Sequence, residues 1–335
     1  MAETRITNIV EPDVFNKYML EQSVTKSALI QAGIVIPDPA LDTLASSGGT
    51  LLTMPFFQDL TGVDEILSDS GALTVGAIAA TYDKARLHTR GRAFGSNDLA
   101  AAIAGTDPMA AIATYVADWW NVQEQATLIS SLKGVFTDNT DNDSADLIYT
   151  AAAEATADIK QWNDAAPTVM NPIAILDGAQ LLGDAKGKFT AIAMHSKCMT
   201  DLLKQELIDY RPASEGKDMI PFYLNKRVIE DDTCPTRSGT GSGTPTVYQS
   251  YLFAEGAVGK GEGGPKVPIE VGRAELAGYD YLITRRHFLL HPRGFQWQES
   301  SIAGVSPTNA ECEEAAQWDR VYNVKNTRCV MIETN

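Results

Sequence analysis

The chain has 335 residues, a formal net charge of −16 and a hydrophobic fraction of 44%. The apolar fraction is that of an ordinary folded protein, and the length suggests two or three lobes. No run of about 18 apolar residues occurs, which excludes a helical membrane span, and the acidic balance excludes a protein that grips nucleic acid by its net charge. Cys198, Cys234, Cys312 and Cys329 are far apart and form no CxxC pair, so reduced thiols are expected and not a disulfide framework or a zinc site. Met1-Ala2-Glu3-Thr4-Arg5 offers neither a basic nor an apolar region, so no secretory signal is expected.

Residues 1–50 show no sustained period and are broken by Pro12, Pro37, Pro39 and the Ser46-Ser47-Gly48-Gly49 cluster. One short helix from Glu11 to Ala32 is expected, with the rest an extended arm lying on another lobe or another subunit. Residues 51–95 read as strands. Thr50 to Phe57 is apolar, and Pro55 places it at an edge or a bulge. From Tyr82 the even positions carry Lys84, Arg86, His88, Arg90 and Arg92, which a period of two puts on one face of a strand. Asp59, Asp64, Glu65 and Asp69 fall on the preceding segment. A projecting two-stranded hairpin with an acidic and a basic side is predicted. Because such a hairpin is marginal in water, Lys84, Arg86, Arg90 and Arg92 are candidate contacts to a neighbouring acidic subunit. A solvated edge strand guarded by its charges is the main competing reading, and contact with nucleic acid is the remaining one.

A short helix is expected at Asn97–Ala104. Asp107 as N-cap and Pro108 at the first position then open the clearest helix. Apolar residues recur at Ile112, Tyr115, Val116, Trp119, Val122, Ala126, Ile129 and Leu132, which predicts a spine of roughly 40 Å to Lys133. The stretch 137–146 reads as a solvated acidic loop, because the glycine and distant glutamate of a calcium loop do not accompany Asp141-x-Asp143. Helices are predicted at Asp146–Ala166 and Pro172–Leu182. A buried strand follows at Phe189–Met194, and Ser196 caps the next helix. Strands follow at Ile220–Ile229 and Thr246–Ala254, flanking an exposed low-complexity loop at 235–245. Pro268–Trp297 reads as a long strand pair. Thr308 and Glu311 form a capping box, and a last strand covers Cys329–Ile332. Helices alternate with strands throughout the second half, the pattern of an α+β lobe with a mixed sheet.

The search for chemistry yields no catalytic, cofactor or metal residue. His287 and His291 fall in a strand-like run, where four residues span about 13 Å, too far to share a metal. His195-x-x-Cys198 has no second ligand pair. Gly259-x-Gly261-x-x-Gly264 matches a dinucleotide fingerprint literally, but Pro265 and Pro268 stand where a helix must begin, so a glycine-rich turn is expected. No GxSxG elbow is present, and Glu230-Asp231-Asp232 reads as a surface turn.

Several segments resemble the major capsid proteins of tailed bacteriophages. These are Ala191-Ile192-Ala193-Met194-His195-Ser196-Lys197 with its following helix, Ile220 to Asp232, Arg285-Arg286-His287-Phe288-Leu289-Leu290-His291-Pro292-Arg293-Gly294-Phe295, and Ser306 to Glu311. The matches span roughly residue 190 to the C-terminus, with arm, hairpin and long helix in the family's order upstream. The resemblance implies an α+β tailed-phage major capsid fold. Its parts would be an N-terminal arm (1–50), an extended β-hairpin loop (51–95), a peripheral domain with a spine helix (96–171), an axial domain (172–266), and peripheral strands with a C-terminal helix and strand (267–335). It implies hexamers and pentamers in an icosahedral shell around double-stranded DNA, without sequence-specific DNA binding and without a membrane. A portal protein, a separate scaffolding protein or none, and a decoration protein are the implied partners. The virion is the implied location, assembled in the host cytoplasm. Lys84 lies where some members crosslink, but no partner asparagine or carboxylate is identified and no crosslink is expected. A bacterial nanocompartment shell of the same fold, or an α+β enzyme, is the alternative.

Overall fold

The computed structural model describes residues 29, 34–46, 48–60, 62–66, 73–99, 108–151, 169–212, 219–239 and 246–335. The predicted helix at Glu11–Ala32, apart from residue 29, the cap Asp107, most of Asn97–Ala104, residues 152–166 and the loop at 240–245 lie outside them.

In chain order, β1 (Val35–Pro37) and α1 (Pro39–Ser46) precede β2 (Leu51–Phe57) and β3 (Ala80–Asn97). The spine helix α2 is Pro108–Asn142. After it come β4 (Ile148–Thr150), α3 (Pro172–Gln180), β5 (Phe189–Met194) and α4 (Ser196–Lys204). The chain then forms β6 (Asp209–Pro212), β7 (Met219–Tyr223), β8 (Lys226–Glu230), β9 (Thr236–Ser238) and β10 (Thr246–Ala254). It ends with β11 (Val258–Gly263), β12 (Ile269–Ala274), β13 (Tyr279–Pro292), β14 (Phe295–Trp297), the one-turn α5 (Asn309–Cys312), β15 (Trp318–Arg320) and β16 (Cys329–Thr334).

Two sheets organise the body. One runs β1-β11-β13-β3-β2, with β12 also on β13; the other runs β4-β16-β10-β5-β8-β7-β6, with β9 also on β10. The last strand therefore belongs to the second sheet, paired along β10, and the expected peripheral stretch 267–335 contributes to both sheets. The main core is built from the second sheet and the inner face of α2, with Phe136, Leu132, Ile192, Tyr251, Leu252 and Ile332 fully buried. A smaller core, Leu41, Ala45, Leu52, Ala85, Leu87 and Leu289, lies under α1.

The described part of the arm lies on its own chain. β1 pairs in parallel with β11, and α1 packs over Gly259 and Gly261, where a side-chain carbon would come within 2.8–2.9 Å of Leu41. This close approach explains the glycine-rich run. It is a strand whose glycines admit a helix, not the expected turn.

The spine is longer than predicted. Its 35 residues span about 52 Å, and it continues to Asn142, through the first part of the stretch 137–146 expected to be a solvated loop, whose residues 143–146 do leave the helix. Val135, Phe136, Asp138 and Asn139 are buried. Asn139 Nδ2 donates to Asp146 at 2.8 Å and its Oδ1 accepts from the Leu147 amide, so polar residues that look solvated fasten the end of the helix. Asp143 pairs with Arg320 at 3.3 Å, and no cluster able to hold a metal occurs among the described residues. Residues 148–150 form β4 instead of continuing a helix, because they add a parallel strand to β16.

Other boundaries move for local reasons. Leu224 and Asn225 take φ of 45° and 60°, so the predicted strand 220–229 folds as a two-residue hairpin. His195, not Ser196, is the N-cap of α4: its Nδ1 accepts from the Lys197 amide, while the Ser196 amide donates to Asp232. Asp231 is buried and takes Gln125 Nε2 at 2.5 Å, so only part of the expected surface turn at 230–232 is surface. The capping box of Thr308 and Glu311 forms as predicted, and so does the helix opening at Pro172, capped by Asn171.

Candidate assembly surface

β2 and β3 form the predicted hairpin. Leu51 to Phe57 pair antiparallel with Arg86 to Ala80, and Gln58 extends the ladder to Ala79. Beyond them a loop leaves the body. In it Leu60, Val63, Ile66, Leu73, Val75 and Ile78 are exposed, Ile66 at 95%. Six large apolar side chains in so short a stretch greatly exceed the scattered exposure normal for a monomer surface. The Thr74 amide donates to Glu65 at 3.0 Å and ties the two legs of the loop. The Thr74 side chain first, then that amide bond, hold the Glu65 carboxyl below its usual range.

The acidic residues do not form one side of the hairpin. β2 is apolar, and Asp59, Asp64 and Glu65 sit out in the loop; Asp69 lies outside the described residues. The described part of the loop is therefore both apolar and acidic.

The cationic strand splits into two groups. Arg86 is buried: it donates to Glu299 at 2.5 Å and to the Val305 carbonyl at 2.6 Å. Arg90, half-buried, donates to the Pro307 carbonyl at 2.7 Å and to Asn309 at 3.0 Å. Period-two alternation does bring Arg86 and Arg90 to one side, but that side is covered by this chain's own segment 298–309. Lys84 lies over the Tyr82 ring at 4.9 Å, and Arg92 is exposed. Among the described residues neither has an ion-pair partner. His88 is buried and stacked on Phe288 at 5.4 Å. Burial first, then the charges of Arg90 and Arg86, push its pKa down to about 3.

Spine and sheet are locked together by ion pairs. Glu124, buried within α2, accepts from Lys260 and from Arg286, each at 2.6 Å. A buried carboxylate held by two cations from adjacent strands fixes helix to sheet geometrically. The sequence reading missed Glu124; its one signal is a glutamate inside the apolar period of the spine. The four cysteines are buried, and burial raises each thiol pKa, Cys329 to about 12. His287 and His291 lie in β13 as predicted, and His291 contacts Asp83 at 2.8 Å.

This architecture can be set beside known proteins. No protein-family model matches the chain. The major capsid protein of Bacillus phage SPP1 is 39% identical over 336 residues, covering 99% of this chain and 98% of that protein. Among solved structures, the cyanophage Pam1 capsid superposes with a TM-score of 0.60 at 12% identity, covering 100% of this chain and 99% of that one. The capsid of Ralstonia phage GP4 gives 0.60 at 9% identity, covering 96% and 95%.

Fold and projecting loop thus define a shell subunit with the tailed-phage capsid architecture. The chain belongs to the family of phage major capsid proteins that includes the SPP1 protein, and its role is structural, in the self-associating shell of the virion.

Proposed function

We propose that copies of this chain associate as hexamers and pentamers and close an icosahedral phage head around double-stranded DNA. The observation that carries this reading is the described part of the loop after β2, where Leu60, Val63, Ile66, Leu73, Val75 and Ile78 are exposed, Val63, Ile66 and Val75 almost fully. Within the assembly the sheet built on β13 and the spine would be the peripheral lobe, and the sheet built on β10 the axial lobe. Lys84 and Arg92, free of ion pairs among the described residues, are the cations left to meet an acidic neighbour. A net charge of −16 suits a wall that encloses DNA without adhering to it. Assembly in the host cytoplasm, with a portal and a separate scaffolding or decoration protein, completes the reading. The chain is proposed to carry no enzymatic activity. The relatives are phage capsids, which favours a genome container over a nanocompartment.

The test is the content of particles purified from infected cells. Nuclease-resistant double-stranded DNA is expected; particles filled with a cargo enzyme and lacking DNA would overturn the reading.

A further inference from the structure

β3 changes partner midway. Its residues 80–86 ladder with β2, ending at Leu51 opposite Arg86. Its residues 87–97 ladder with β13, beginning at Leu289 opposite Leu87. One continuous strand thus carries the hairpin away from the body, and the handover at Arg86–Leu87 is where a change of hairpin angle would be absorbed.

The segment 298–309 grips β3 at that handover. Arg86 bonds Glu299 and the Val305 carbonyl, the Thr89 amide donates to Ser306 Oγ at 3.1 Å, and Arg90 bonds the Pro307 carbonyl and Asn309. These five bonds leave β3 within five residues. Those of Arg86 are shielded from water, its side chain being 4% exposed, so its two charge-assisted bonds are of the stronger kind.

The segment is anchored to the body independently. The Ala303 amide donates to Glu311 at 2.8 Å, Gln317 Nε2 donates to the Ser301 carbonyl at 2.6 Å, and Thr127 of the spine donates to Asn309 at 3.3 Å. Glu311 is itself fixed by the Thr308 capping box. One side of the segment therefore holds the hairpin root, and the other holds the spine helix and the body.

We infer that 298–309 is a clasp that sets the angle of the hairpin relative to the spine, and that opening it frees the hairpin to pivot at Arg86–Leu87. This deepens the shell-subunit reading by naming what determines where a subunit presents its loop. Asp83 and His291 form a second tie, so an opened clasp loosens the hairpin without detaching it.

The experiment is amide hydrogen exchange on the unassembled full-length chain, which is read whether or not shells form. Arg90→Gln combined with Ser306→Ala removes three of the five bonds without burying a new charge. Exchange in 51–57 and 80–86 is expected to quicken by about tenfold or more, with β11 and β10 unchanged. Ser306→Ala alone, the milder variant should the double one fold poorly, is expected to give the same pattern with a smaller gain. Faster exchange confined to 299–308, or no change anywhere, would overturn the inference.

Discussion

Asp83 on the hairpin and His291 on the body strand β13 meet at 2.8 Å, both almost fully buried, although their strand segments share no ladder. Asp83 stands opposite Met54 within the hairpin, and His291 opposite Gly259 on β11. The contact ties the root of the loop to the glycine-rich strand that carries α1. Asp83→Leu leaves a buried imidazole nitrogen without its partner and is expected to cost about 3 kcal/mol. Asp83→Asn retains a partner and should cost about 1 kcal/mol. Urea unfolding of the unassembled chain measures both.

Gly134 reverses the usual helix rule. In a helix interior alanine is favoured over glycine by about 1 kcal/mol. Here a side-chain carbon would stand 2.0 Å from the Cys312 carbonyl and 2.6 Å from the Trp318 indole nitrogen. Trp318 Nε1 already donates to that carbonyl at 2.9 Å, so neither group can retreat without breaking a buried bond. Gly134→Ala is expected to destabilise by about 3 kcal/mol or to abolish soluble expression; thermal unfolding and soluble yield report it.

Two buried groups tilt the acid response in opposite directions. His88 is held down to about 3 by burial and its arginine neighbours. Between about 3 and the ordinary histidine value of 6.5 the unfolded chain binds the extra proton, so stability falls as pH falls through that window. Asp138 is raised to about 6, chiefly by burial, with Asp143 and Asp319 adding to it and Asn142 and Arg320 opposing. Between 3.8 and about 6 the folded chain binds the extra proton, so this contribution is present at low pH and lost as pH rises through about 6. His88→Leu should flatten the loss of stability between pH 6.5 and 4, by up to about 1.4 kcal/mol per pH unit. Asp138→Asn should steepen it. Denaturation midpoints across pH 4–7 give both slopes.

The loop's apolar side chains are proposed to serve contacts that a lone subunit lacks. Val63→Ser, Ile66→Ser and Val75→Ser together remove exposed surface only and should leave the unfolding midpoint within about 0.5 kcal/mol of wild type. Shell yield, followed by light scattering, should fall at least tenfold. An equal loss of subunit stability would mean that the loop packs on its own body.

Features set by local chemistry were legible in the sequence. The capping box at Thr308, the helix opening at Pro172, the buried strand Phe189–Met194 and the period of the spine all depend on neighbours a few residues away. Features set by remote partners were not. The spine outran its expected end because Asn139 finds Asp146 and Leu147. Asp231 is drawn inside by Gln125, which is distant in sequence. The cations of β3 showed the same limit. Alternation placed Arg86 and Arg90 on one side, but nothing in the strand announced that residues 299–309 of the same chain would cover them. Of the four candidates, Lys84 and Arg92 have no ion pair among the described residues.

Copies of this chain are proposed to complete one another as a closed shell. Negative-stain electron microscopy of the purified chain, alone and co-expressed with a candidate scaffolding protein, decides this. Closed particles of uniform diameter are expected. A monodisperse monomer under every assembly condition, with the exposed loop intact, would contradict the account.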